Sequence, residues 1–261
     1  MTSNLYSSYP LVDTTVGTRL LLGFIVPAAA LQQRLPQPWQ LSSLPASYLS
    51  ALGLNAQRLP ELPNLMLVFN DLLLNQDGQG RVQADASARY VGFNIPAANP
   101  ETGEQGVMHF RIFTGNPCSV PGRFRDALPA RVRHEQRIIG EGTSSTVMEA
   151  FELHPEIGGI IDLQVTYERG PLVRLIADRP SFPAWAALDA RILRVYQEDT
   201  LLEVIRNDAT GINRVQTMMF QMTVPEFADL FDGSERLVSI LGNPHYARKV
   251  FSSGIEYAAH E

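Results

Sequence analysis

Gly106-Val107-Met108-His109-Phe110-Arg111-Ile112-Phe113-Thr114-Gly115-Asn116-Pro117 and, shortly after, Gly122-Arg123-Phe124-Arg125-Asp126-Ala127-Leu128-Pro129-Ala130-Arg131 alternate strand-forming and chain-breaking character. Val107–Phe113 carries β-branched and aromatic residues between two glycines and reads as a strand; glycine and proline then interrupt the chain before a second strand-like run at Arg131–Ile139. The same grammar extends in both directions. Upstream, Asn64–Leu74 and Val82–Phe93 flank the turn signal Asp77-Gly78-Gln79-Gly80, which predicts a hairpin. Arg19–Val26 reads as an apolar strand, and Pro27 opens a short helix, Ala28–Leu35, closed by Pro36 and Pro38. Downstream, β segments are expected at Ser145–Leu153, Ile160–Glu168 and Leu172–Ala177. Beyond Pro183 the spacing turns helical: Trp185, Leu188, Ile192 and Val195 recur at that period, as do Phe227, Leu230, Phe231, Leu237 and Leu241. The expectation is one α+β domain over residues 1–261, with an antiparallel β barrel or cone from Arg19 to Ala177, flanking helices, and a more helical part over about 183–261.

The composition narrows the function. The chain has 261 residues, 45% of them hydrophobic, enough for a sizeable core, and a formal charge of −6. A net acidic protein lacks the basic surface that nucleic acid or anionic membrane requires, so neither is an expected partner. The longest apolar run, Leu20–Leu31, is too short to cross a bilayer and contains Pro27. With no cation before Arg19 and no apolar leader, the expected location is the cytoplasm. A single cysteine, Cys118, excludes an internal disulfide and a thiolate-rich metal site. Lys249 is the only lysine; every other cationic side chain is arginine, which stays protonated and cannot act as an amine nucleophile.

Phosphate-binding glycine loops, the dinucleotide fingerprint and the Gly-x-Ser-x-Gly elbow are absent, so no cofactor is expected. His134-Glu135 opens like a zinc-protease helix, but Ile138 stands where the second histidine belongs, and no metal is expected. Arg131, Arg133 and Arg137 around His134 form a basic stretch, read as the solvated face of an ordinary strand.

The segments quoted at the outset resemble the acetoacetate decarboxylase family, whose members carry a similar strand, a Gly-Arg-Glu element and then Pro-Lys-Lys. Gly122, Arg123 and Pro129 fall in register, and Gly23–Leu41 resembles the family's strand, short helix and Leu-Pro-x-Pro passage; together these cover about the first 150 residues. The resemblance implies a barrel with a central cavity, in which the first lysine after the proline attacks a ketone to form an imine that drains electrons as carbon dioxide leaves. Here that position is Ala130 and its helper is Arg131, and neither side chain forms an imine. The resemblance also implies that the family's first-strand cation has given way to Phe24-Ile25-Val26, that Asn70-Asp71 replaces one acid, and that no acid stands between Ala86 and Pro100.

These departures predict a protein of that fold that handles a small apolar, carbonyl- or carboxylate-bearing molecule without an imine, as a lysine-independent lyase or isomerase. His109, Arg123 and Arg131 are its candidate catalytic residues, and Arg111, Arg123 and Ala130 its candidate ligand contacts. The alternatives are a non-catalytic ligand-binding barrel, or an interaction module whose C-terminal helices, through Phe227, Leu230, Phe231 and Leu237, dock a partner or a second copy to make a homo-oligomer.

Overall fold

A computed structural model of the protein describes residues 8–44, 62–83, 88–116 and 127–253. Most of them lie in strands. In chain order these are β1 (Leu11–Ile25), β2 (Gln40–Leu41), β3 (Leu65–Asp77), β4 (Ala88–Ala98), β5 (Gln105–Thr114), β6 (Ala127–Ile139), β7 (Thr146–Pro155), β8 (Ile161–Glu168), β9 (Leu172–Ile176), β10 (Phe182–Ala186), β11 (Leu193–Asn207), β12 (Ile212–Asn213), β13 (Val215–Met222) and β14 (Arg236–Ser252). The hairpin expected around Asp77 forms between β3 and β4, with the Asp77 carboxylate accepting the backbone N–H groups of Gln79 and Arg81 and Gly80 at φ +79°.

Seven strands close a barrel in the order β1–β3–β4–β5–β10–β11–β14 and back to β1. Every pairing is antiparallel except β5–β10, which is parallel and only three residue pairs long, Val107 to His109 against Ala184 to Ala186. Gly106 permits this seam, because a Cβ there would lie 2.3 Å from the Pro183 carbonyl oxygen. A four-stranded antiparallel sheet, β6–β7–β8–β13, packs against one side of the barrel and joins it where β6 runs parallel to β5.

The main core lies between these two bodies. Leu20, Leu22 and Phe24 of β1, Leu65, Leu67 and Phe69 of β3, and Val91, Phe93 and Ile95 of β4 face outward from the barrel and meet Phe151, Leu153, Leu163 and Val165 of the sheet. Leu21, Met66 and Val68 on the same strands face the barrel interior, which is why these strands read as unbroken apolar runs rather than alternating ones.

The helical expectations are overturned. The described residues contain one α-helix, α1 (Ala28–Gln32), and two short 3-10 turns; none is long and apolar enough to cross a membrane. Residues 183–253 are mostly β10, β11, β13 and β14. Two causes misled the periodicity: strands buried on both faces lose strict alternation, and register shifts at Leu201/Glu203, Val204/Arg206 and Gly17/Arg19 break what remains. The apolar cluster assigned to a docking helix is split between a 3-10 turn (Pro225–Phe227), the residues after it, and β14, where Leu237 lies, and Phe227 and Leu230 are fully buried in the core. Lys249 sits on β14, not on a helix.

His134 is no solvated strand residue. Its ring stacks on Phe151 at 3.9 Å, its Nδ1 lies 2.7 Å from Asp71 Oδ2 on β3, and its Nε2 lies 3.2 Å from Glu149 Oε2 on β7. Burial alone would lower its pKa, but the two carboxylates outweigh burial and raise it to about 9, so an imidazolium ties the sheet to the barrel wall.

Candidate functional site

A cavity of about 50 Å3 lies inside the barrel. Alternation along the strands decides what faces it. On β11 the inward residues include Tyr196 and Glu198; on β14 they include Tyr246 and Arg248, with Lys249 exposed on the outside. Arg19 enters from β1, Asn70 from β3, Tyr90 and Asn94 from β4, and His109 from β5. Glu198 and Arg248 are direct cross-strand neighbours, and Arg19 pairs in register with Asn243 and Asn70.

Arg19 holds Glu198 with both terminal nitrogens, at 3.0 and 2.7 Å, and donates through Nε to Asn243 Oδ1 at 2.8 Å. This fork satisfies the carboxylate. Burial pushes the Glu198 pKa up, but the charge and hydrogen bonds of Arg19, helped by Arg248, hold it below the usual carboxylate value. Arg248 is less well provided. Its guanidinium lies 4.4 Å from the Tyr196 ring centroid and 5.7 Å from that of Tyr246, reaches Tyr90 Oη only at 3.4 Å, and approaches Glu198 at 4.0 Å. Its Nε, at 8% residue exposure, has no hydrogen-bond partner among the described residues, nor has Tyr246 Oη or Asn94 Oδ1. Burial disfavours its charge, but the surrounding phenols and Glu198 outweigh burial, and it stays a cation.

His109 Nε2 lies 3.3 Å from Tyr196 Oη. Burial, with the charges of Arg248 and Arg194, drives the His109 pKa down to about 3, and burial lifts Tyr196 to about 12. His109 is therefore a neutral imidazole across the physiological range. Its ring resonances are expected to show no titration between pH 5 and 8 by NMR. A midpoint for His109 near its ordinary value of about 6.5 would contradict the environment described.

The sequence candidates are scattered. His109 faces the cavity. Arg111, two residues on, faces away and forms a salt bridge with Glu226. Phe110 is the reason: Asn94 pairs with His109 and Phe93 with Arg111, so Phe110 bulges out of the ladder and the alternation changes face. Ala130 is buried opposite Pro155 in the core between barrel and sheet, not in the cavity wall, and Arg131 beside it is exposed. Arg123 lies outside the described residues. Of the residues tied to the family's acids, Asn70 lines the cavity while Asp71 turns outward to His134. The first strand does supply a cation, Arg19, five residues before the apolar run that had been taken to replace it. Arg19, Glu198, Tyr196, Tyr246 and Arg248 were missed; a polar residue at every second position of Tyr196-Gln197-Glu198 and Tyr246-Ala247-Arg248 was the available signal, masked by the helical reading.

No family model matches the chain, and no curated protein matches it in sequence. Solved structures do match. The enduracididine biosynthesis enzyme MppR with HEPES bound superposes with a TM-score of 0.56 at 12% identity, covering 94% of this chain and 87% of that one. The fold is acetoacetate decarboxylase-like. An acetoacetate decarboxylase-like enzyme from Sphingomonas wittichii RW1 matches at TM-score 0.52 and 12% identity, over 94% of this chain and 93% of that one. The acetoacetate decarboxylase of Legionella pneumophila matches at 0.50 and 10%, over 100% and 94%. Identities this low establish the acetoacetate decarboxylase-like fold and leave the chemistry to the site.

Proposed function

We propose that the barrel interior binds a small molecule carrying a single carboxylate and handles it without forming an imine. The observation that carries this reading is Arg248, a buried guanidinium on the cavity wall whose terminal nitrogens make only long polar contacts, at 3.4 Å to Tyr90 and 4.0 Å to Glu198, while the cavity's other charged side chains, Arg19 and Glu198, neutralise each other. A buried cation short of acceptors is stabilised by an anion that supplies them, and guanidinium matches carboxylate geometry. One net positive charge favours a monoanion. In the same measure of space a single water needs about 10–15 Å3, so the cavity holds only a few non-hydrogen atoms. MppR, which shares the fold, has been solved complexed with pyruvate, a molecule of this size and charge.

Tyr196 Oη stands beside Arg248 as the hydrogen-bond donor for a carbonyl oxygen, with His109 Nε2–H donating to the phenol at 3.3 Å. A histidine so weakly basic and a phenol so weakly acidic suit polarising a bound group better than moving its protons, which favours a ligand-binding barrel over a proton-transferring lyase or isomerase. The imine route needs a free amine in the cavity, and the chain's one lysine, Lys249, is exposed on the outer face of β14.

Titration calorimetry with pyruvate and acetate tests the reading: both bind with Kd on the order of 0.1–1 mM, and acetamide does not. Equal affinity for acetamide would refute it. Borohydride reduction in the presence of pyruvate or acetoacetate is expected to leave the mass of the intact protein unchanged; an adduct on Lys249 would show that an amine does reach the ligand.

A further inference from the structure

A second, smaller cavity of about 20 Å3 adjoins the first near one end of the barrel. Its walls include Leu22, Leu62, Pro63, Val238 and Leu241, with Ser239 and Asn207 as the polar side chains among the described residues that line it. Leu21 and Met66 line both cavities and form the partition between them. The two sides of that partition differ in character: tyrosines, arginines and Glu198 on one, mostly aliphatic side chains, with Ser239 and Asn207, on the other. Met66 is unbranched with three rotatable bonds and packs in a cluster with Leu44 and Leu62, so its side chain can adopt another rotamer among flexible aliphatic neighbours.

We infer that the ligand is an amphiphilic monocarboxylate whose carboxylate is held at Arg248 and whose short apolar tail passes Met66 into this annex. The inference rests on the carboxylate reading above and adds the tail. A fully polar ligand would leave the aliphatic annex unused, whereas a tail of two or three methylene groups removes its own apolar surface from water there. Space for about one or two atoms is open as it stands, and displacement of Met66 provides the rest. Leu21 and Met66 thus become the residues that set the chain length accepted, and Leu241 and Val238 form part of the wall where the tail ends.

The test is a series of straight-chain monocarboxylates from acetate to octanoate, titrated by calorimetry. Affinity is expected to rise about fourfold per methylene over the first two or three additions and then to level or fall. In Leu241→Phe, which fills the annex, the ratio of hexanoate to acetate affinity falls towards one. In Met66→Ala, which widens the passage and gives a second variant if the first folds poorly, the break in the series moves to longer acids. If acetate binds and affinity is flat or falls from acetate onward, the annex is not a tail site and the inference is overturned while the carboxylate reading stands. A rise that survives both variants unaltered overturns it equally, since the tail then lies elsewhere. Failure of every acid in the series, acetate included, removes the carboxylate reading itself.

Discussion

Arg248→Met is expected to abolish the binding of small carboxylates while leaving the barrel folded. A hydrogen bond to a charged group contributes about 1.5–3 kcal/mol, so losing the guanidinium weakens binding by roughly 10- to 150-fold, and a millimolar ligand drops out of the measurable range. The folded state loses little. Glu198 retains the two-pronged hold of Arg19, and Arg248 has an Nε unpartnered among the described residues and makes only long polar contacts, so an apolar chain of similar length replaces a group whose burial is poorly compensated. Its loss also removes the contacts with the Tyr196 and Tyr246 rings, worth about 0.5–2 kcal/mol at most. Calorimetry with pyruvate and a thermal melt decide the matter together. Undiminished affinity in a folded variant would show that the anion binds elsewhere. Glu198→Gln moves the other way: with Arg19 released, the cavity gains a second unneutralised cation, and carboxylates bind more tightly.

The second large effect concerns stability. His134→Leu leaves the Asp71 and Glu149 carboxylates facing a hydrocarbon, Asp71 keeping only Arg89 at 3.1 Å, and the loss is expected to be about 3 kcal/mol near neutral pH. The pH dependence separates this ion cluster from a merely packed ring. The folded pKa of His134 is raised from its ordinary 6.5 to about 9, so its stabilisation is present in full below pH 6.5 and is lost as pH rises through 9. Asp71 is shifted the opposite way: burial alone would raise its pKa, but hydrogen bonds from His134 and Arg89 hold it below 3.8. Its contribution is present above that value and fades only in acid. Denaturant unfolding of wild type and variant at pH 6 and above pH 10 should show a gap of about 3 kcal/mol shrinking to less than about 1. A gap independent of pH would mean that His134 acts only through its stacking on Phe151.

The turns announced the strands in the first two thirds of the chain well. Asp77-Gly78-Gln79-Gly80 marked a real hairpin, and Val107–Phe113 and Arg131–Ile139 proved to lie in β5 and β6. What failed has a common cause. In a closed barrel packed against a sheet, a strand such as β1 buries Leu20 and Leu22 on one face and Leu21 on the other, and no period of two survives to be read. Where bulges are added, as on β11 and β14, the remaining spacing imitates a helix. The site suffered most because its charged residues lie on those strands. Arg111 lies two residues from His109, yet Phe110 breaks the alternation between them and turns it to the other face. Ala130 was placed by motif, and the motif carried no information about which wall of the core its strand would join. His134 was read from its own neighbours, whereas its partners Asp71 and Glu149 come from two other strands.

The order of the barrel strands also governs when the protein can come into being. The wall beside β1 is completed on one side by β14, so that Leu11 lies opposite Phe251, and Arg248 reaches Glu198 only when β14 has paired with β11. Contacts that join such distant parts of a chain form slowly, because the intervening loop must be closed before they give anything back. During synthesis β1 emerges with its inward and outward faces both apolar and waits, unpaired along one edge, until nearly all of the described chain has left the ribosome. The binding cavity is thus a late product of assembly, and partly made chains expose a long sticky strand that a chaperone would have reason to cover.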